Sequence, residues 1–183
     1  MTGSTMRLGK VGYFVDFIVY PAIVMMLLAG LLRSESPLSW KESLAACFAG
    51  IAGWTLLEYV IHRFVLHEVA YLAAMHDMHH ADPGAFVGAP TWLSLGSMCC
   101  GALLPLCWAI GFDLASSFTA GLMLGYLWYG GVHYMVHHRQ SEPGTRLHRL
   151  KRRHALHHHA RKSCNFGVTN GFWDRVFGTD FYS

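Results

Sequence analysis

Charge is what this sequence has least of. Only 14% of its 183 residues are Asp, Glu, Lys or Arg while 53% are hydrophobic, against the roughly 25% charged residues of soluble globular domains. That imbalance argues against an ordinary soluble domain and for a chain solvated by lipid. A net charge of only +3 suggests no nucleic-acid partner. The five cysteines, Cys47, Cys99, Cys100, Cys107 and Cys164, contain no CxxC pair. They read as small buried hydrophobes, with no disulfide framework or thiolate metal site. A completed HExxH string is also missing: His67-Glu68 opens one, but Tyr71 stands where its second histidine would be, which argues against a zinc protease. There is no long polar linker, so the chain reads as one domain over 1–183.

What is abundant is apolar sequence in long runs. Four stretches, roughly 11–32, 43–66, 92–112 and 115–136, approach the ~20 residues a helix needs to cross the hydrocarbon core. The first is longer than a signal-peptide core and has no small-x-small cleavage site, so it reads as a retained span. Asp16 within it must face protein or the interface. Pro37 in Ser34–Ser39 breaks the chain before the second span, and Asp82-Pro83-Gly84 and Ser141-Glu142-Pro143-Gly144 mark further turns. Gly121 and Gly125 form a GxxxG pair, read as close helix packing inside the monomer. Several of the tryptophans, Trp40, Trp92 and Trp108 among them, sit near span ends as interfacial anchors.

The basic residues orient these spans. Arg7 and Lys10 precede the first, Arg33 and Lys41 lie between the first and second, none lies between the third and fourth, and nine follow the fourth, from Arg139 to Arg175. The positive-inside rule places both termini in the cytoplasm. The expected fold is therefore an all-α integral membrane protein of four transmembrane helices in two hairpins, with a cytoplasmic helical cap. The basic run Arg146 to Arg153 either satisfies that rule or holds an anionic head group or phosphate.

Histidine is the other excess. Thirteen are present beside only 11 acidic residues, and ten fall into four clusters: His62/His67, His76/His79/His80, His133/His137 and His154/His157/His158. The spacing i, i+3, i+4 occurs twice, at 76–80 and 154–158, and places imidazoles on one helix face. All four clusters emerge at the cytoplasmic ends of the second and fourth spans or just beyond. Ten imidazoles exceed what one four-coordinate zinc uses, so a two-metal centre is expected. Glu58, Asp77 and Asp174 are candidates for orienting the rings, and His138 and His159 for supporting or surface positions.

Glu58-Tyr-Val-Ile-His62-Arg-Phe-Val-Leu-His67, His76-x-x-His79-His80, His133-x-x-x-His137, His154-x-x-His157-His158 and the closing run Phe166 to Thr179 together resemble the fatty acid hydroxylase superfamily. The resemblance covers about 54–179. It implies metal ligation by His62, His67, His76, His79, His80, His133, His137, His154, His157 and His158, two iron ions with zinc as a possible substitute, and O2 as co-substrate. A membrane lipid is the implied substrate. The His-Arg-Phe box and the Gly-Val-Thr-x-x-Phe-Trp-Asp close are most similar to fatty acid 2-hydroxylases. Unlike the larger eukaryotic forms, this protein is expected to lack a fused haem domain, so electrons are expected from an external ferredoxin or small b-type cytochrome with its reductase.

The chemistry agrees with that expectation, because removing hydrogen from an unactivated C–H bond is beyond any acid or base side chain and needs a redox metal. The leading expectation is hydroxylation at position 2 of an acyl chain. A sterol or carotenoid desaturase or hydroxylase of the same superfamily is the alternative, since the ligands alone do not choose the product. A membrane metal-binding or transport protein is a reading from another class, although the middles of the first, third and fourth spans offer little to a passing ion.

Overall fold

The computed structural model describes residues 8–35 and 38–182; Arg7 of the charge pattern, Ser36 and Pro37 of the expected turn, and Ser183 lie outside the described residues. Among the described residues every regular element is a helix. In chain order they are α1 (Lys10–Phe14), α2 (Asp16–Arg33), α3 (Trp40–Val60) continued by a π-helical segment (Ile61–Leu66), α4 (Ala70–Ala81), α5 (Thr91–Met98), a second π-helical segment (Cys99–Leu103), α6 (Leu104–Ile110), α7 (Phe112–His138), α8 (Arg146–His159) and α9 (Phe172–Val176).

Three stretches are long and apolar enough to cross a membrane: Lys10–Arg33, Trp40–Leu66 and Thr91–Ile110. Their outward surfaces carry large hydrophobic side chains, with Leu32 89% and Trp108 92% exposed, a surface suited to lipid. The fourth expected span lies within α7, whose 27 residues are long enough to cross. Its composition is less apolar, because Ser116, Ser117, Thr119 and four glycines replace large hydrophobes. Those three hydroxyl residues are buried, so their polarity faces protein.

The chain divides into two compact units. The first comprises Leu8–Trp54 and Ala89–Leu127 and packs around Tyr20, Val24, Leu27, Trp54, Met98 and Met123. Asp16 is buried, and its carboxylate accepts hydrogen bonds from the hydroxyls of Thr91 and Tyr126. The Tyr20 hydroxyl donates to Ser94 Oγ at 2.9 Å. An acidic group in an apolar span is thereby partnered inside the protein, which offsets much of its desolvation cost. Gly50 and Gly121 allow α3 and α7 to touch: a Cβ at Gly121 would collide with the Cys47 carbonyl and lie 3.0 Å from the Gly50 Cα. A Cβ at Gly125 would lie 2.5 Å from the Cβ of Trp54.

The second unit contains, among the described residues, Thr55–Gly88 and Trp128–Tyr182, and with them every histidine of the four clusters. Val132, Val136 and Val168 form its apolar centre, with Tyr129, Met135, Leu147 and Leu150 packed against them. Helix α8 starts where Thr145 Oγ1 accepts the His148 amide at 3.2 Å, satisfying one of the free donors of its first turn.

Candidate metal centre

The histidines reach one another from the ends of α3 and α7 and from α4 and α8. In α4 and α8 the i, i+3, i+4 spacing works as helix geometry requires: His76 and His80 approach Nε2 to Nε2 at 3.1 Å, as do His154 and His158. On α7, His133 and His137 are one turn apart, at 3.2 Å. His62 and His67 are different, because residues five apart diverge by about 140° on an α-helix at ~100° per residue. The segment between them is π-helical, and its i→i+5 winding brings the rings back together. The two imidazoles stack with centroids 5.4 Å apart and planes at 16°.

Two groups result, each with its ligand atoms within 4.8 Å of one another: His62, His67, His76, His80 and His157 in one, and His79, His137, His154 and His158 in the other. His133 lies beside the second group, 3.1 Å from His79 and 3.2 Å from His137, Nε2 to Nε2. The groups adjoin, since the rings of His80 and His158 stack at 4.1 Å. Each group draws on several helices: His62–His76 at 3.0 Å and His67–His157 at 3.3 Å in the first, His137–His154 at 2.8 Å in the second.

Burial favours the neutral ring for the clustered histidines of α4 and α8. Burial, reinforced by nearby histidines, lowers the pKa of His79 to about 3, of His80 to about 4 and of His158 to about 2. Burial is also the main cause for His157, at about 3, with the Cys164 carbonyl partly opposing it. His76 and His154 shift in the same direction, and His67 less, because Asp77 and Glu68 oppose its desolvation. Neutral imidazoles whose Nε2 atoms converge present lone pairs to a common point, the donor arrangement a cation needs. Metal–nitrogen bonds of about 2.1 Å set neighbouring ligands at right angles about 3.0 Å apart, within the observed 2.8–3.3 Å spread. The residues therefore fit a pair of nitrogen-ligated metal ions. An all-imidazole set suits iron, zinc or copper and does not by itself select among them.

The loop after α8 holds two of these rings from behind. The Phe166 carbonyl lies 2.5 Å from His62 Nδ1, and the Cys164 carbonyl 2.8 Å from His157 Nδ1. A carbonyl only accepts, so Nδ1 carries the proton on both rings and Nε2 is left as the ligand atom. The Nδ1 atoms of His79, His154 and His158 are buried and have no hydrogen-bond partner among the described residues.

Glu58 and Asp174 hold that loop. Glu58, 3% exposed, accepts the amides of Val168 and Thr169 at 2.7 and 2.8 Å and the Thr169 hydroxyl at 2.7 Å. Asp174 accepts the amides of Phe166 and Gly167 at 2.8 and 2.9 Å and the Thr179 hydroxyl at 2.8 Å. It also pairs with Arg153 at 3.1 Å, and Arg153 bonds Asp180 as well. Asn165 takes φ 54°, a left-handed conformation that asparagine tolerates better than most residues. Its side-chain amide closes the loop on Phe181 through two bonds of 2.9 Å.

The two acids thus bond the backbone of 166–169 and not an imidazole, a route to the rings that sequence spacing does not show. Asp77 is exposed and acts on His67 and His80 through its charge. His138 packs its ring on Tyr134 at 4.6 Å and Phe86 at 5.9 Å, and His159 is exposed at the end of α8. His148 lies 3.4 Å from the Ser141 hydroxyl. The carbonyls of Cys164 and Phe166 were missed by residue-type reasoning, because any residue supplies a carbonyl. Their only sequence signal is membership of the closing run.

Among the described residues, helices long and apolar enough to cross a membrane and clustered, largely buried imidazoles define a membrane protein with a candidate metal centre. The family model described as fatty acid hydroxylase matches residues 47–179, and the chain belongs to that family. It is 36% identical over 161 residues to the ceramide very long chain fatty acid hydroxylase SCS7 of Saccharomyces cerevisiae, covering 75% of this chain and 39% of that protein. It is also 36% identical over 145 residues to the dihydroceramide fatty acyl 2-hydroxylase FAH2 of Arabidopsis thaliana, covering 71% and 58%. Human fatty acid 2-hydroxylase is 34% identical over 142 residues, covering 69% and 37%. The chain thus spans between about a third and three fifths of the length of these relatives. A solved structure described as full-length scs7p, with only the hydroxylase domain visible, superposes with a TM-score of 0.79 at 26% identity, covering 97% of this chain and 68% of that one.

Proposed function

We propose that this protein is a membrane-bound lipid hydroxylase that inserts oxygen at position 2 of a fatty-acyl chain. The observation that carries the proposal is the convergence of neutral, buried imidazoles into two adjoining groups in a chain whose family and relatives are named for acyl hydroxylation. His62, His67, His76, His80 and His157 would hold one iron, and His79, His137, His154 and His158 with His133 the other. Bound iron, with O2 and electrons, supplies the oxidising power toward an aliphatic C–H bond that no side chain has.

The chain's own part is positioning. The carbonyls of Phe166 and Cys164 lock the tautomers of His62 and His157, Glu58 and Asp174 fix the loop that carries them, and burial of His62, His76, His79, His154 and His157 keeps bulk water from the donor atoms. We further propose four spans, with α7 as the fourth, and a single domain over 1–183. Both termini and the metal site then face the cytoplasm, in keeping with the basic residues that follow α7. The electron donor is an external ferredoxin or small b-type cytochrome with its reductase.

The test is lipid mass spectrometry of cells expressing the wild-type chain or the His79→Ala, His80→Ala double variant, with a competent electron donor co-expressed and the iron content of the purified wild type measured. A wild-type-only lipid heavier by one oxygen, with fragmentation placing the hydroxyl at position 2, is the expected result. A wild-type product lighter by two hydrogens would make the protein a desaturase, and identical lipids from an iron-loaded wild type would refute the acyl hydroxylase reading.

A further inference from the structure

Helix α8 carries the histidines on one face and arginines on another. Arg149, Arg152 and Leu156 lie opposite His154 and His158 by helical spacing. Beside this second face is a cavity of about 420 Å³, within the size range of small-molecule sites, bounded by α8, α9 and the loop between them. Its lining includes Arg146, Arg149, Arg152, Arg153 and Arg175 and no acidic residue. Arg153 forms the floor: its guanidinium is held by Asp174 and Asp180 and lies 5.6 Å from the Tyr182 ring centroid. Gly171 leaves it room, since a Cβ there would lie 2.5 Å from the guanidinium carbon.

Positive charge remains at the rim. Arg175 is 66% exposed and comes no closer than 4.0 Å to Asp180, which Arg153 already bonds, and Arg149 gives one N–H to the Gly144 carbonyl at 2.7 Å. Arg146 faces no carboxylate among the described residues. Guanidiniums gathered around a concavity raise its potential and favour an anion, and their planar forks match phosphate oxygens. The volume exceeds that of a phosphate group alone, and Leu150, Leu156 and Tyr182 provide apolar wall for the remainder of a ligand.

We propose that this cavity binds a phosphate-bearing ligand, separately from the metal centre. The phosphate belongs either to a lipid head group or to a soluble monoester, and two probes separate these sources. The protein in a neutral maltoside detergent is titrated calorimetrically with dioctanoyl phosphatidic acid and with glycerol 3-phosphate, with dioctanoylglycerol as the phosphate-free control. Binding of phosphatidic acid alone assigns a lipid head group, and binding of both assigns the phosphate monoester itself.

Replacing both rim residues, Arg146→Gln with Arg175→Gln, weakens binding by roughly ten-fold per arginine, whereas Arg33→Gln with Lys41→Gln removes the same net charge elsewhere and leaves it intact. The Arg146→Lys, Arg175→Lys pair keeps the charge and loses the fork, and is expected to weaken binding partly. It decides the matter should the glutamine pair fail to fold. No binding of either phosphate probe, equal binding of the phosphate-free control, or equal loss in the rim and distant variants would overturn the proposal.

Discussion

Glu58 is a buried carboxylate that positions the clustered imidazoles through a loop rather than by touching them, and its replacement tests that role. Its two oxygens accept three hydrogen bonds of 2.7–2.8 Å from Val168 and Thr169. Each such hydrogen bond contributes about 0.5–1.5 kcal/mol net, and each buried donor left unpaired carries a desolvation penalty of about 1–3 kcal/mol. Glu58→Ala is therefore expected to cost roughly 4 kcal/mol or more. At about 2–4 °C per kcal/mol for a chain of this size, Tm falls by about 8–16 °C. Glu58→Gln keeps an oxygen for the two amides and disturbs chiefly the Thr169 hydroxyl, so about 1–2 kcal/mol is expected. The assay is thermal unfolding of the detergent-solubilised protein together with its metal content. Because the same loop sets the Phe166 carbonyl against His62, the alanine variant also loses metal on dialysis faster than wild type. An alanine variant that melts within 2 °C of wild type and keeps its metal equally well would refute the reasoning.

The remaining predictions concern protons, packing and metal. Because burial and neighbouring imidazoles depress the pKa of His79, His80 and His157 to about 3–4, the unfolded chain takes up protons first as pH falls below about 6.5. The metal-free protein should thus hold its full stability from these groups above that pH and lose it progressively between about 6.5 and 3, as followed by urea unfolding at stepped pH; a flat profile would contradict the burial. Gly121→Ala forces apart two helix backbones that touch and is expected to cost about 1–3 kcal/mol. Gly96→Ala meets nothing within 4 Å and is expected to be neutral or slightly stabilising, so equal melting temperatures for the two variants would count against the close approach of α3 and α7. Chelation of the metal-loaded protein should lower Tm and re-addition restore it, since a ligand bound only to the folded state stabilises that state.

Much of this protein is legible in its residues. Scarce charge and long apolar runs indicate a membrane protein before any coordinates are known, and the expected spans near 11–32, 43–66 and 92–112 correspond to Lys10–Arg33, Trp40–Leu66 and Thr91–Ile110. The repeated i, i+3, i+4 histidines mark the candidate ligands, because spacing alone decides which side chains share a face of one helix. Composition is less informative for α7, where buried serines, a threonine and glycines dilute the apolar signal of a helix long enough to cross.

The arrangement of the site was decided by the tertiary structure. Spacing cannot say that His157 joins His62 and His67 while His154 joins His79 and His137, since that depends on which helices meet. Nor does a five-residue interval look like a shared face until the backbone winds as a π-helix between His62 and His67. Glu58 and Asp174 read as candidates for orienting the rings, and the fold adds the route: both bind amides of a loop whose Phe166 carbonyl meets His62, a loop more than a hundred residues from Glu58. Local periodicity follows from the geometry of a single helix, which neighbouring residues dictate. The meeting of distant segments follows from the packing of the whole chain, which no local pattern records.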